Sequence, residues 1–138
     1  MESLKTTHDA QPSKDIWALG CVLSEAATWI VLGKEALLRY QKDRSIATSK
    51  LPQLRETSHV GCFHNGHKVL PEVRTNHMEI RKRRRRNDHI TADVLTIVED
   101  MLDDAEARPS ARQARSRFKR ALETAIAEMC SSNTAPKN

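Results

Sequence analysis

The sequence predicts an all-α protein in which one apolar helix is packed against three or four later helices. Three observations lead to this fold class. Apolar side chains cover nearly every helical face between residues 16 and 32, later segments place apolar residues at helical spacing, and no stretch alternates as a strand does. Because a helix that is apolar all round must be covered by other elements, we expect this helix to lie at the centre of one 138-residue domain.

The central helix is predicted over residues 15–33. Asp15 is placed to cap its first turn, because its carboxylate can accept a hydrogen bond from an unpaired amide. Gly33 is a natural stop at its end. Residues 1–14 are then a polar N-terminal segment, residues 34–44 a short amphipathic helix, and residues 45–68 a long loop.

Three more helices are predicted after the loop, near 71–82, 91–102 and 110–129. Pro71 suits a first helical position, and Thr91 can cap the second of these helices. Ser110 and Gln113 have the spacing of a capping box at the start of the third. Residues 130–138 are polar, and we expect them to be a disordered tail.

A run of six adjacent cations accounts for the basic character of the chain. The net charge is +5, so the rest of the chain carries −1. Such a run is either a solvated charge run, a nuclear-import signal or a patch that contacts phosphates of nucleic acid. No aromatic residue is interleaved with it, so stacking on bases is not expected. The run consists of Arg81, Lys82, Arg83, Arg84, Arg85 and Arg86.

Neither a metal site nor a membrane span is expected. The candidate metal ligands include only one cysteine, whereas structural zinc sites favour paired ligands. These candidates are Cys62, His64 and His67, with His59 and His77. Ile16–Leu32 has 17 residues and includes a carboxylate, which favours a buried helix of a soluble protein. An odd number of cysteines and no secretory signal indicate the cytoplasm or the nucleus.

Two short strings resemble motifs of the eukaryotic protein kinase C-terminal lobe. Asp15-Ile-Trp17-Ala-Leu-Gly20 resembles the D-x-W-x-x-G motif that opens the large central helix of that lobe. Met101-Leu-Asp-Asp-Ala-Glu-Ala-Arg108-Pro-Ser resembles its M-L-x-x-D-P-x-x-R-P-S/T pattern, with Ala in place of the first Pro. The segments Ser-Glu-Ala-Ala-Thr-Trp, at 24–29, and Phe-His-Asn-Gly, at 63–66, are further similar to kinase-like proteins of filamentous fungi.

The resemblance implies structural roles for these residues. Asp15 would correspond to the residue that fixes the catalytic-loop backbone, and Trp17 and Gly20 to residues that pack the helix into the lobe. Arg108 would correspond to the arginine that pairs with the glutamate of the A-P-E motif. Glu2 is the candidate partner, because its distance from Asp15 in the sequence is close to that of the motif.

Catalytic elements of the family are absent from the sequence. It contains no G-x-G-x-x-G, no V-A-I-K lysine, no H-R-D loop and no D-F-G, and only 14 residues precede Asp15. We therefore expect a truncated kinase-like C-lobe with no catalytic residue, no ATP, magnesium or other cofactor, and no phosphate transfer. Its role would be either binding or that of a remnant without a selected function. For a binding role, the partner of the exposed central helix would be another copy, a kinase or another protein. The alternative is a small basic nuclear protein that contacts nucleic acid through residues 81–86.

Overall fold

The computed structural model describes residues 6–52 and 61–134, and it confirms the all-α fold class. Within these ranges there is no strand, only an isolated bridge between His64 and Val69. The described helices are α1 (Thr6–Leu32), α2 (Lys34–Ser49), α3 (Pro71–Arg83), α4 (Thr91–Met101) and α5 (Ala111–Thr134).

Helix α1 extends further toward the N-terminus than predicted. It includes Pro12, and Asp15 lies within it as an exposed residue, so the prediction that Asp15 caps the helix was wrong. The prediction failed because a capping residue after Pro12 and Ser13 suggested a start, whereas the helix continues through the proline. The predicted stop is confirmed, since Gly33 adopts a φ of 92° and its amide donates to the Trp29 carbonyl at 3.0 Å.

Helix α2 continues to Ser49, so the predicted loop over 45–68 begins too early. The part of that loop at 61–70 is ordered against the core. The Gly61 amide donates to Thr48 Oγ1 at 2.6 Å, and the Leu70 amide donates to the Phe63 carbonyl at 2.9 Å. Phe63 and Leu70 are both buried, which anchors the connection to α3.

Helices α3, α4 and α5 lie close to the predicted bounds, but their ends differ. Thr91 does not cap α4; Asp88 does, because its Oδ1 accepts from the amides of Ile90 at 3.1 Å and Thr91 at 2.9 Å. The capping box of α5 is confirmed by the reciprocal bonds of Ser110 and Gln113, at 2.9 and 3.1 Å. Helix α5 also runs on to Thr134, into the segment predicted to be a disordered tail.

Helix α1 occupies the centre of the arrangement and packs against α2, α3 and α4, while α5 packs against α4. Ile16 of α1 joins Ile97 and Met101 of α4 and Ala121 of α5 in one buried cluster. A second cluster joins α2, the ordered loop, α3 and α4 beside Trp17 and Cys21 of α1; its buried members are Tyr40, Phe63, Leu70, Val73, Val98 and Leu102.

Candidate functional site

A chain of polar side chains crosses the interior between α1, α2, α3 and α4. Ser24 Oγ lies 2.8 Å from the Tyr40 hydroxyl and 2.7 Å from His77 Nε2. His77 Nδ1 lies 3.2 Å from Glu99 Oε1, and Arg81 holds both oxygens of that carboxylate at 2.7 and 3.0 Å. Since each helix contributes a member, the chain links all four helices; we call it the polar chain.

Burial and neighbouring charges determine which atoms of the polar chain carry a proton and donate hydrogen bonds. Burial lowers the pKa of His77 below its ordinary value of 6.5, and this outweighs the opposing effect of Glu99. The neutral ring then donates from Nδ1 to Glu99 and accepts from the Ser24 hydroxyl at Nε2. Burial also raises the pKa of Tyr40 to about 12, so this phenol stays protonated and donates to Ser24.

The ionised end of the polar chain is the Glu99–Arg81 pair. Burial alone would raise the pKa of the Glu99 carboxyl, but the hydrogen bonds and charge of Arg81 outweigh burial and lower it. This pair is partly exposed. An open cavity of about 370 Å³ lies above it, with His77 in its wall.

The order hydroxyl, imidazole, carboxylate is also that of a nucleophilic catalytic triad. Here the hydroxyl of Ser24 cannot meet a substrate, because its residue is fully buried and is not among those that line the cavity above His77. Tyr40 and His77 occupy its two sides. The polar chain is therefore a structural link between helices, and acyl transfer is not supported by its geometry.

A buried cation lies next to the polar chain. The Arg44 guanidinium carbon is 4.2 Å from the ring centroid of Tyr40 and 4.0 Å from that of Phe63. Its Nη2 donates to Glu25 at 2.5 Å, and its Nε donates to the Gly61 carbonyl at 3.3 Å. Arg44 thus fastens α2 and the ordered loop to α1.

The two strings that resemble kinase motifs are brought together. Gly20 faces α4, where a Cβ at this position would lie 3.0 Å from Met101 Cβ and 3.2 Å from Leu102 Cδ2. Trp17 is half-buried against the cluster that includes Leu102. The first string therefore packs directly on the start of the second, through a glycine that permits the close approach.

Arg108, of the second string, also reaches α1. Its Nη1 lies 3.3 Å from both the carbonyl and the hydroxyl of Ser13, and its Nε donates to the Asp103 carbonyl at 2.7 Å. The predicted partner Glu2 lies outside the described residues. The arginine therefore ties the connection between α4 and α5 to α1.

Replacing Gly20 with valine is expected to lower the free energy of unfolding by about 2 kcal/mol, since overpacking a well-packed contact costs this much. The new side chain would push directly against Met101 and Leu102. Urea unfolding followed by far-UV circular dichroism measures the change. Ala18→Val is the control, since Ala18 is exposed on the same helix and should lose less than about 0.7 kcal/mol. Equal losses in both variants would contradict the close approach.

The six cations at 81–86 do not form one free patch. Arg81 holds Glu99, and Arg84 Nη1 donates to the Asp88 carbonyl at 2.8 Å. Arg83 pairs with Glu79 one turn earlier on α3. The members exposed to solvent are Lys82, Arg83, Arg85 and Arg86.

The histidines and cysteine considered for a metal are separated. Cys62 Sγ donates to the His64 carbonyl at 2.9 Å, and His64 Nδ1 accepts from the Gly66 amide at 2.9 Å, so both are used inside the turn. His77 belongs to the polar chain, and His59 lies outside the described residues. In the part of the chain that the structure describes, no three His, Cys, Asp or Glu side chains converge on a metal position.

One side of α1 is left uncovered by the other described helices. Its apolar residues are exposed by 44% at Leu19, 63% at Val22, 60% at Trp29 and 75% at Ile30. We call these four residues the α1 apolar face. An open cavity of about 360 Å³ adjoins it, lined by Cys21, Val22, Glu25, Ala26, Trp29 and Leu37.

Pro12–Leu32 is the one described helical segment that is long and apolar enough to cross a bilayer by length and composition alone. A core helix of a soluble protein meets the same criteria. A single segment of this kind near the N-terminus is weak evidence for a membrane protein and is compatible with a soluble one.

Sequence reasoning did not find the polar chain or the Arg44 site. A signal was present, because Ser24 and Thr28 are polar residues one turn apart in the mostly apolar stretch 16–32. Buried polar side chains need partners, and Thr28 indeed accepts from Asn76 Nδ2 at 2.8 Å. The identity of those partners depends on helix packing that the local sequence does not contain.

No family model, curated protein or solved structure matches this chain.

Proposed function

We propose that this chain is a protein-kinase-type helical lobe that does not transfer phosphate and that acts by binding another protein through the α1 apolar face. One observation carries the proposal. The two motif-like strings, 80 residues apart in the chain, meet where Gly20 approaches Met101, and Arg108 reaches back to Ser13. For Trp17 and Gly20 the kinase resemblance implies packing into the lobe, and the contact of Gly20 with Met101 supports that role.

Phosphate transfer is not part of the proposal because the necessary groups are missing from the sequence. That reaction depends on positioning ATP and neutralising charge with a glycine-rich loop, a lysine and metal-binding carboxylates. None of the corresponding motifs occurs here. Mg-ATP should accordingly leave the melting temperature unchanged, since a ligand stabilises a protein only by binding its native state.

A binding role is supported by the apolar surface that α1 presents to solvent. Four large apolar side chains are exposed on one side of this helix, those of Leu19, Val22, Trp29 and Ile30. Contiguous exposed apolar patches commonly mark sites of protein association. We place this binding in the cytoplasm or the nucleus, because the odd cysteine count favours a reducing compartment.

Site-specific photo-crosslinking tests the binding role. Ile30→p-benzoylphenylalanine puts a crosslinker on the α1 apolar face, and Met78→p-benzoylphenylalanine puts it on α3, where Met78 is similarly exposed. After irradiation of cells that express each variant, we expect a crosslinked protein band from position 30 at several times the yield from position 78.

The outcome is read from the crosslinked bands that positions 30 and 78 give. A defined band from position 30 supports binding through the α1 apolar face, whichever protein it contains. Equal yields from both positions, or no band from position 30, would overturn the proposed function. A shift of the melting temperature by Mg-ATP would separately overturn the view that the lobe lacks a nucleotide site.

A further inference from the structure

We infer that the first half of α5 binds the phosphate backbone of double-stranded nucleic acid. This surface was not among the sites predicted from the sequence. It lies on a different helix from the α1 apolar face, so the inference does not rest on the proposed function. We call it the α5 cationic face and define it by four exposed side chains, those of Arg112, Arg115, Lys119 and Arg120.

The charge of this part of the chain differs sharply from that of the remainder. Residues 108–120 contain six cations and no carboxylate, so they carry +6, as does the run at 81–86. The remaining residues carry −7, because the whole chain carries +5. Positive charge concentrated in this way attracts polyanions even when the net charge of the protein is small.

The four cations of the α5 cationic face lie on one side of the helix. With 3.6 residues per turn, they fall within an arc of about 140°. Ala114 and Ala121, on the opposite side of α5, are buried. From Arg112 to Arg120 the face extends about 12 Å along the helix axis. It can therefore contact several phosphates, since these follow one another at about 3.4 Å along each strand of a duplex.

The cations of this face are available to an external anion. Arg112, Arg115 and Arg120 have no ion-pair partner among the residues that the structure describes. Lys119 approaches Glu123 at 4.0 Å, and both side chains are well exposed. Exposed pairs of this kind contribute little to stability, so a phosphate can replace Glu123 at small cost.

An open cavity of about 710 Å³ adjoins the face at the connection between α4 and α5. The charged residues that line it are Arg108, Arg112, Arg117 and Arg120, with Asp100 and Glu106. Asp100 neutralises Arg117 at 2.7 Å, which leaves three arginines against Glu106. The cavity is thus a positively charged recess beside the helix, and arginine is well suited to phosphate because its planar group can donate two parallel hydrogen bonds.

The other residues that line the cavity favour a duplex as the occupant. None of the described lining residues is Leu, Ile, Val, Met, Phe, Tyr or Trp. A protein interface has an apolar core with aromatic anchors, and single-stranded nucleic acid is held by bases that stack on aromatic rings. The cavity offers neither contact, whereas a duplex backbone is bound by cations alone. We therefore expect binding that does not read the base sequence.

Fluorescence anisotropy of the full chain with a labelled DNA duplex of about 20 base pairs tests the inference. We expect a dissociation constant in the micromolar range at low salt. Between about 50 and 200 mM salt it should rise about 100-fold, because contact with about four phosphates releases their counterions.

A pair of double variants locates the contact. Arg112→Gln with Arg120→Gln should weaken binding at least about tenfold at about 0.1 M salt and reduce the salt slope by about two. Arg85→Gln with Arg86→Gln is the matched control, because it removes two exposed arginines near the other end of α4. It should change the dissociation constant less than about threefold, since α4 is about 16 Å long and charges are screened within about 10 Å. Both variants should keep the wild-type melting temperature, because only exposed side chains are changed.

Four results would overturn the inference. The first two are no binding of the duplex at low salt and an equal loss of affinity in the two double variants. The third is tighter binding of either single strand than of the duplex. The fourth is displacement of the duplex by poly-L-glutamate at an equal concentration of charged groups, which would assign the face to an acidic protein instead.

Discussion

Replacing Arg44 with alanine is expected to lower the free energy of unfolding by about 3 kcal/mol, the largest single effect that this structure predicts outside the polar chain. The side chain is almost fully buried, and its guanidinium carbon lies 4.2 Å from the ring centroid of Tyr40 and 4.0 Å from that of Phe63. Its removal leaves the Glu25 carboxylate without its cation and opens a space beside the two rings. Urea unfolding monitored by circular dichroism measures the loss.

Two further variants separate packing from charge at this site. Arg44→Lys keeps the charge but loses the planar group that contacts both rings, so its loss should be intermediate. Arg39→Ala is the matched control, because Arg39 is an exposed arginine on the same helix and should change stability by less than about 0.5 kcal/mol. If Arg44→Ala cost no more than Arg39→Ala, the proposed role of the buried cation would be wrong.

Replacing His77 with alanine is expected to lower the free energy of unfolding by about 3 kcal/mol at pH 7.5. The change leaves a cavity at a fully buried position, and it removes the acceptor of the Ser24 hydroxyl and the donor to Glu99. Guanidinium unfolding measures the loss, and His67→Ala, at an exposed position in the loop, is the control.

The same variant is expected to change the pH dependence of stability. Burial keeps the folded-state pKa of His77 below the ordinary value of 6.5 that it has in the unfolded chain. Between these two pKa values, the unfolded chain binds a proton that the folded chain does not. The free energy of unfolding of the wild type therefore falls as the pH drops through 6.5 and below. His77→Ala should lose that part of the decline, which a comparison at pH 7.5 and pH 5.5 detects. An unchanged decline in the variant would show that His77 is not the titrating group.

The helices were predictable where the signal is local. Gly33 and the Ser110–Gln113 pair act through their own backbone and near neighbours, so the sequence around them suffices. The start of α4 was assigned to the wrong residue because Asp88 and Thr91 are both good capping residues, and only the backbone geometry selects Asp88. Helix α1 was started too late because polar residues can continue a helix that leaves the core.

The polar chain could not be predicted because its members are distant in sequence. Ser24 and His77 are 53 residues apart, and their contact exists only when α1 and α3 are docked. Arg44 was missed for the same reason, since an arginine in an amphipathic segment is usually exposed. The apolar pattern of residues 16–32 predicted a helix covered on all sides, and the four exposed residues of the α1 apolar face show that one side is open to solvent.

The polar chain also determines how the molecule should come apart. Its hydrogen bonds join α1 to α2, α1 to α3 and α3 to α4, so releasing any one of these helices leaves a polar group of the chain unsatisfied in a helix that remains. Backbone amides of these four helices should consequently exchange with solvent deuterium as one cooperative unit. Helix α5 contributes no member and is largely exposed beyond Ala125, so its last turns belong to a separate, earlier-opening unit.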